Sequence, residues 1–142
     1  MLQLLERHET TTGIKAYTVV ADSKYGTIEN FLACHDKGIE AHIPDLRQAA
    51  IKRTKKRSIF TDDQFLYDPQ SDTYRCPAGN LLKRKSLHMQ RESSYYGSPK
   101  KVCAVCELRE QCTKNKTGRT VKRHLRQDDL NAMREESYES HI

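Results

Sequence analysis

Apolar positions in the first third of the chain change period twice. Leu2-Gln3-Leu4-Leu5-Glu6-Arg7-His8 reads as the end of a helix, and Thr10-Thr11-Thr12-Gly13 breaks it. Tyr17, Val19 and Val20 fall within Lys15–Ala21, a run whose residue types favour a strand, and Asp22 closes it. Ile28, Phe31, Leu32 and His35 then recur at helical spacing. They predict a helix over 27–37, with Thr27 as its N-cap and Gly38 just past its end. Ile39–Ile43 reads as a second short strand, stopped by Pro44. Strand, helix and strand with tight connections predict a parallel β-α-β unit with a right-handed crossover. One such unit cannot bury both faces of its strands. Its sheet is therefore expected to be completed by the rest of the chain, by a second copy, or by sequence outside these 142 residues.

The pattern weakens after Pro44. Residues 47–64 read as a basic linker, mobile until the run Lys52-Arg53-Thr54-Lys55-Lys56-Arg57 meets an anion, because like charges this close repel. Phe65–Tyr67, the turn Asp68-Pro69-Gln70-Ser71-Asp72 and Thr73–Cys76 predict a hairpin. Pro77-Ala78-Gly79-Asn80 makes the next turn, and Leu81–Lys85 reads as a strand. Residues 92–99 are polar, with Gly97 and Pro99, and predict a loop. Arg119–Leu125 reads as a last short strand. Asp128–Tyr138 reads as a helix with Leu130, Met133 and Tyr138 on a weak apolar side. Four segments result: an α/β unit (1–46), the basic linker (47–64), a cysteine-rich α+β segment (65–125) and a C-terminal helix (126–142).

Composition narrows the class. Hydrophobic residues make up 36% and Trp is absent, enough for a modest core only. No run approaches the roughly 18 apolar residues of a membrane span, and the N-terminus lacks the apolar segment of a signal peptide, so a cytoplasmic protein is expected. Charge is segregated. Residues 1–46 carry 4 basic and 7 acidic side chains, residues 47–126 carry 20 and 7, and residues 127–142 carry 1 and 5. A basic block between acidic ends points to a polyanionic partner, DNA or RNA. Candidate phosphate contacts are Lys52, Arg53, Lys55, Lys56 and Arg57, then Lys83, Arg84 and Lys85, then Lys114, Lys116, Arg119, Lys122 and Arg123. Such contacts strengthen binding and fix position without reading sequence. Tyr95 and Tyr96 either stack on bases or anchor their segment.

Four of the five cysteines form a pattern. Cys103, Cys106 and Cys112 lie within ten residues, flanked by Lys, Glu, Arg and Gln, and Cys76 precedes them by 26 intervening residues. Polar flanks argue against simple burial. Two cysteines separated by two residues bring both sulfurs to one ion, and four thiolates are a ligand set for structural Zn²⁺. Residues 108–111, read as a short helix, would return Cys112 to the same point. An iron–sulfur cluster accepts the same ligands, and free thiols are the metal-free alternative. His88 or His124 could substitute for Cys76. A redox pair at Cys103 and Cys106 lacks the thioredoxin-like strand-to-helix context. Cys34, on the apolar side of the first helix, reads as a core thiol.

Asp22 follows a strand, where α/β sheets place chemistry, and a carboxylate there can hold a divalent ion; it can equally cap the next turn. Asp62-Asp63 and Asp128-Asp129 read as turn or helix-start residues.

Ordered motifs carry a resemblance. Val19-Val20-Ala21-Asp22-Ser23-Lys24-Tyr25-Gly26 resembles the second-aspartate motif of DDE transposases, whose catalytic domain is ribonuclease-H-like. The likeness extends through Ala41-His42-Ile43-Pro44 and Tyr67-Asp68-Pro69-Gln70-Ser71-Asp72-Thr73-Tyr74-Arg75-Cys76-Pro77-Ala78-Gly79 to Cys103-Ala104-Val105-Cys106-Glu107-Leu108-Arg109-Glu110-Gln111-Cys112. It is closest to the IS1182-like insertion-sequence group and covers nearly the whole chain. It implies a partial ribonuclease-H-like β-α-β unit followed by a zinc-ribbon-like insertion. Asp22 would be the second metal-binding carboxylate of a triad that uses Mg²⁺ or Mn²⁺ for DNA cleavage and strand transfer. Cys76, Cys103, Cys106 and Cys112 would hold Zn²⁺. The first aspartate and the final glutamate are expected outside these residues. Glu135, Glu136 and Glu139 lack the context of that glutamate and are not assigned. Where family members have Lys-Gly-Tyr or Ala-Gly-Tyr after the aspartate, this chain has Ser23-Lys24-Tyr25. The expected product is a fragment without nuclease activity that keeps DNA binding, alone, as a homo-oligomer or with missing transposase segments. The alternatives are a non-catalytic zinc module of a decayed transposase, binding nucleic acid or protein, and a small divalent-metal nuclease.

Overall fold

A computed structural model describes residues 1–139; the side chains of Tyr138 and Glu139 lie outside what it describes. The fold is mixed α/β. It divides into two compact units, one formed by Met1–Ala49 with the segment from Arg126 onward, the other by Ala50–Leu125. Among the described residues, no helix is long and apolar enough to cross a membrane.

The first unit contains the expected parallel pair. Strand β1 (Thr18–Val20) lies beside β2 (Glu40–His42), with Val19 opposite Ala41. Before them, α1 (Leu2–Thr12) ends at Gly13, whose φ of 70° lets its N–H reach the Glu9 carbonyl. Between them, α2 (Ile28–Asp36) begins at Thr27, whose Oγ1 accepts from the Asn30 N–H at 3.3 Å. Phe31, Leu32 and Cys34 are buried on one side of this helix, as their spacing predicts. Gly26 is required for packing, since a Cβ there would overlap the Pro44 carbonyl oxygen.

The cover for this unit comes from the C-terminal helix, here α6 (Gln127–Glu139). The sequence set that helix apart as its own segment; instead it packs on α2 and β2. Leu130 and Met133 join Phe31, Leu32, Cys34, Ile39, Ala41 and Ile43 in one core. Ser137, one turn further on, is also buried. Its hydroxyl donates to the Ala41 carbonyl at 2.5 Å and accepts from the Ile43 N–H at 3.5 Å. A single side chain thus serves the edge of β2 that faces away from β1. At the other end of the helix, Arg126 makes a fork to both oxygens of Asp36, at 2.6 and 3.0 Å, and also reaches Asp129. Hydrogen bonds from Arg126, then from His35, hold the Asp36 carboxyl down at about 2.

In the second unit five strands run antiparallel in the order β3-β4-β5-β6-β7: Leu66–Asp68, Thr73–Arg75, Leu81–His88, Ser93–Gly97 and Thr120–His124. Strand β5 runs three residues past its predicted end at Lys85, and two segments take a different structure from the sequence reading. The basic linker is helical over α3 (Leu46–Lys55), because Gln48, Ala49, Ala50, Lys52 and Arg53 are compatible with helix and its last turn places three cations where the helix dipole favours them. The segment read as a loop is strand β6, paired on both sides. Ser-Ser-Tyr-Tyr-Gly reads as a loop by composition. Placed between two neighbours it buries Ser93, Ser94, Tyr96 and Gly97 and gives every backbone group a ladder in which to pair.

Alternation along the strands separates two faces. Register places Tyr74, Leu82, Tyr96 and Val121 on one face, where with Phe65 they form the core. Tyr67, Tyr74 and Tyr96 meet there edge to face, with ring centroids 5.0 to 6.3 Å apart. The Tyr67 and Tyr96 hydroxyls both donate to Asp72 Oδ1, at 2.8 and 2.6 Å, and Arg84 reaches Asp72 Oδ2 at 2.8 Å. Burial, with the Asp72 bond adding to it, pushes the Tyr67 hydroxyl up to about 12.

Two outcomes follow for the first unit. Ser137→Ala leaves a buried N–H and a buried C=O without this partner and is expected to cost about 1–3 kcal/mol in urea unfolding; a loss of only a few tenths would mean water or backbone relaxation serves that edge. Asp36 is held below its ordinary value of 3.8, so its contribution is complete above that pH and is lost as pH falls towards about 2. The difference in unfolding midpoint between the wild type and Asp36→Asn should therefore shrink across this acid window and be constant above about pH 5.

Candidate metal centre

Cys76 follows β4 directly and opens the turn 77–80, where Gly79 adopts a φ of +88°. The turn closes with the Cys76 N–H donating to the Asn80 carbonyl at 2.9 Å. The Asn80 N–H points back and donates to Cys76 Sγ at 3.3 Å. That amide fixes the sulfur beside the turn, on the cavity side of Cys76.

The other three thiols belong to the connection between β6 and β7. Two short helices occupy it, α4 (Lys100–Ala104) and α5 (Arg109–Cys112). Cys103 sits in α4, the Cys106 N–H bonds back to the Cys103 carbonyl at 3.3 Å, and Cys112 ends α5. The predicted short helix over 108–111 is therefore present, one residue later. Beyond it Gly118, with a φ of +100°, passes close to Cys103; a Cβ there would stand 2.8 Å from its sulfur.

Cys76, Cys103, Cys106 and Cys112 all border one cavity of about 30 Å³, closed by Phe60, Phe65 and other apolar side chains. That volume suits an ion or one or two waters, not an organic ligand. Burial pushes the Cys112 thiol up, Arg119 opposes the shift, and the charges of the other three cysteines add to it. The four cysteines line a common space without forming a closed set. Among the described residues, no group of three or more His, Cys, Asp or Glu side chains is arranged to hold an ion. Donor type, cavity size, the amide on Cys76 and the glycine beside Cys103 fit a soft, small metal. Neither histidine considered as a substitute lines the cavity. His88 contacts Tyr95, with ring centroids 4.8 Å apart, and His124 stands 3.6 Å from Glu92. Cys34 is a core thiol, fully buried and 3.8 Å from the Met1 sulfur.

Arg119 frames the cavity, and sequence reasoning assigned it a different role. Its Nη1 donates to the carbonyls of Phe60 and Cys112, each at 2.8 Å, its Nη2 reaches Asp62 at 2.8 Å, and its guanidinium lies 5.0 Å from the centre of the Phe65 ring. With 17% of its side chain exposed, it is a structural clamp and not a free phosphate contact. Arg84 is likewise taken up by Asp72, and the Arg123 guanidinium stacks 3.8 Å from the Tyr67 ring centre. The other candidates are exposed: Lys52, Arg53, Lys55, Lys56 and Arg57 on or just after α3, Lys83, Lys85 and Lys122 on the sheet, Lys114 and Lys116 before β7. Of the two tyrosines, Tyr96 is an anchor in the core and Tyr95 is half-buried on the other face. Alternation along 81–85 was the signal that separates Arg84 from Lys83 and Lys85.

Asp22 lies just beyond the carboxyl end of β1, exposed, and its Oδ1 accepts from the Lys24 N–H at 3.0 Å. It caps the 3-10 turn Ser23–Tyr25. Asp62 and Asp63 start another such turn, and Asp128 and Asp129 start α6. On α6, burial raises the Glu136 carboxyl, with Glu40 adding to the shift and His42 opposing it.

No protein-family model, no curated protein and no solved structure matches this chain.

Proposed function

We propose that the unit Ala50–Leu125 is a zinc-stabilised DNA-binding module within the central part of a DDE transposase. The observation that carries this reading is the convergence of Cys76, Cys103, Cys106 and Cys112 on one ion-sized cavity. They arrive there from two sequence-distant turns of a domain with 18 basic and 7 acidic side chains. In this reading the four thiolates hold Zn²⁺, which supplies cross-linking and no chemistry. The ribonuclease-H-like and zinc-ribbon-like assignments rest on the motif resemblance, supported by the parallel β1-β2 pair with Asp22 after β1. The intact parent would use Asp22 and two further acids to hold Mg²⁺ or Mn²⁺ during strand cleavage and transfer.

A second reading is favoured by one specific observation: the Asp22 carboxylate already has a structural task as a turn cap. That suits a non-catalytic module descended from a transposase.

Protein purified without added metal is expected to carry about one zinc per chain, following the four-ligand stoichiometry of structural sites. A chelator should then make four thiols reactive while Cys34 stays protected, and should lower the unfolding temperature. Absence of metal, with the same four thiols reacting before chelation, would overturn the zinc reading; iron in place of zinc would reassign the ion. These 142 residues supply one of the three acids, so no Mg²⁺- or Mn²⁺-dependent DNA cleavage is expected. Cleavage abolished by Asp22→Asn would sink the claim that the chain is catalytically incomplete.

A further inference from the structure

The face of the sheet opposite the tyrosine core carries a different chemistry. Register assigns its members. Leu66, Arg75 and Leu81 lie side by side across β3, β4 and β5, then Thr73, Lys83, Gly97 and Thr120 across β4 to β7. Ser86, Tyr95 and Lys122 form the next row across β5, β6 and β7. A bulge between Arg84 and Ser86 adds Lys85 to this side. The Lys85 side chain lies across Gly97, whose missing Cβ leaves room for it; a Cβ there would meet Lys85 Cε at 2.9 Å. Arg75, Lys83, Lys85 and Lys122 are all exposed, and among the described residues none is drawn into an ion pair. Of the acids at this face, Asp68 is turned into its own loop, accepting from the Gln70 N–H at 3.0 Å and the Ser71 hydroxyl at 2.8 Å, and Glu92 stands 3.6 Å from His124 at the far end. Beside the cations stand two rings in edge contact, the exposed His88 and the half-buried Tyr95, whose hydroxyl accepts from Arg91 at 3.4 Å.

We propose that this face binds single-stranded nucleic acid, with Lys83, Lys85 and Lys122 on phosphates and the Tyr95–His88 pair as a stacking platform for a base. It rests on the reading of this unit as a nucleic-acid module and names the form of nucleic acid taken. The geometry favours single strands over duplex. Five strands at about 4.8 Å spacing make a surface roughly 19 Å across, too wide for a major groove of about 12 Å. An open sheet face bearing rings and cations matches unpaired bases, whose faces are free to stack, and a duplex hides those faces. Lysines on β5 and β7, on either side of Tyr95 on β6, can follow a flexible backbone across the sheet.

The test is fluorescence anisotropy of the zinc-replete full chain with a labelled 20-nucleotide single strand and with the same sequence as a duplex, at low and physiological salt. The single strand should bind more tightly. Exchanging Lys83, Lys85 and Lys122 together for Ser should reduce its affinity at least about tenfold and flatten the log–log salt slope by about 2, three phosphates at about 0.7 each. Tyr95→Leu or His88→Ala should weaken single-strand binding by about fivefold or more, with little effect on duplex. The lysines and His88 are exposed, so these variants report even if Tyr95→Leu fails to fold. Tighter binding of duplex, or unchanged affinity in the sheet variants alongside loss on exchanging Lys52, Arg53, Lys56 and Arg57 for Ser, would overturn the platform while leaving nucleic-acid binding in place. No binding of either form at low salt would overturn both.

Discussion

The second unit depends on one guanidinium. Arg119 lies just before β7, yet it holds the Phe60 carbonyl ahead of the sheet, the Cys112 carbonyl at the end of the cysteine segment and the Asp62 carboxylate. It does so over the Phe65 ring, half-enclosed in a domain whose core cluster among the described residues has five buried apolar side chains. Hydrogen bonds from a charged donor to backbone carbonyls are among the stronger kind, each worth about 1.5–3 kcal/mol when the surroundings are dry. The clamp gathers three chain segments that have little apolar surface of their own, and the cavity lined by the four thiols is the space it encloses. It also supplies positive charge beside Cys112, where four thiolates would otherwise repel one another.

Much of this was written in the sequence where period and punctuation agree. The helical spacing of Ile28, Phe31 and Leu32, with Thr27 before and Gly38 after, gave α2 nearly to the residue. Leu130 and Met133 marked the buried side of α6, although nothing local told where that side would dock. A segment's amphipathic stripe specifies that it is covered, not by what; here it returns across about 80 residues to β2. Ser93–Gly97 was illegible for a related reason. Serine, tyrosine and glycine have no strong strand signature alone, and what makes them a strand is the presence of β5 and β7 on both sides.

The site was legible in part. Spacing brought Cys103, Cys106 and Cys112 together on paper, and the turn after Cys76 placed the fourth thiol at the same cavity. The basic residues were legible as a charge but not as a surface. Arg84, Arg119 and Arg123 each carry a planar group that stacks or forks, and each is used within the fold, on Asp72, on backbone carbonyls and on Tyr67. The lysines, with compact and strongly hydrated heads, remain outside. Arg53, Arg57 and Arg75 stay exposed with them, so side-chain type sorts internal from external cations only in part.

That division joins the thiol cavity to the outer face of the sheet. The cysteine segment 98–119 is the connection between β6 and β7, and Lys122 sits two residues past the Thr120–Gly97 pair that begins their ladder. Whatever closes the connection also fixes the entry of β7 and therefore the row in which Lys122 meets Tyr95 and Ser86. A loop of this length would leave the β6–β7 register weakly specified by the sequence alone, since serine and glycine on β6 give little side-chain preference for one pairing over the next. The proposed ion at Cys103, Cys106 and Cys112, tied to Cys76 beside β4, would remove that freedom. In the proposed zinc reading the cysteines would set register, and the surface that register aligns carries Lys122, Tyr95 and Ser86.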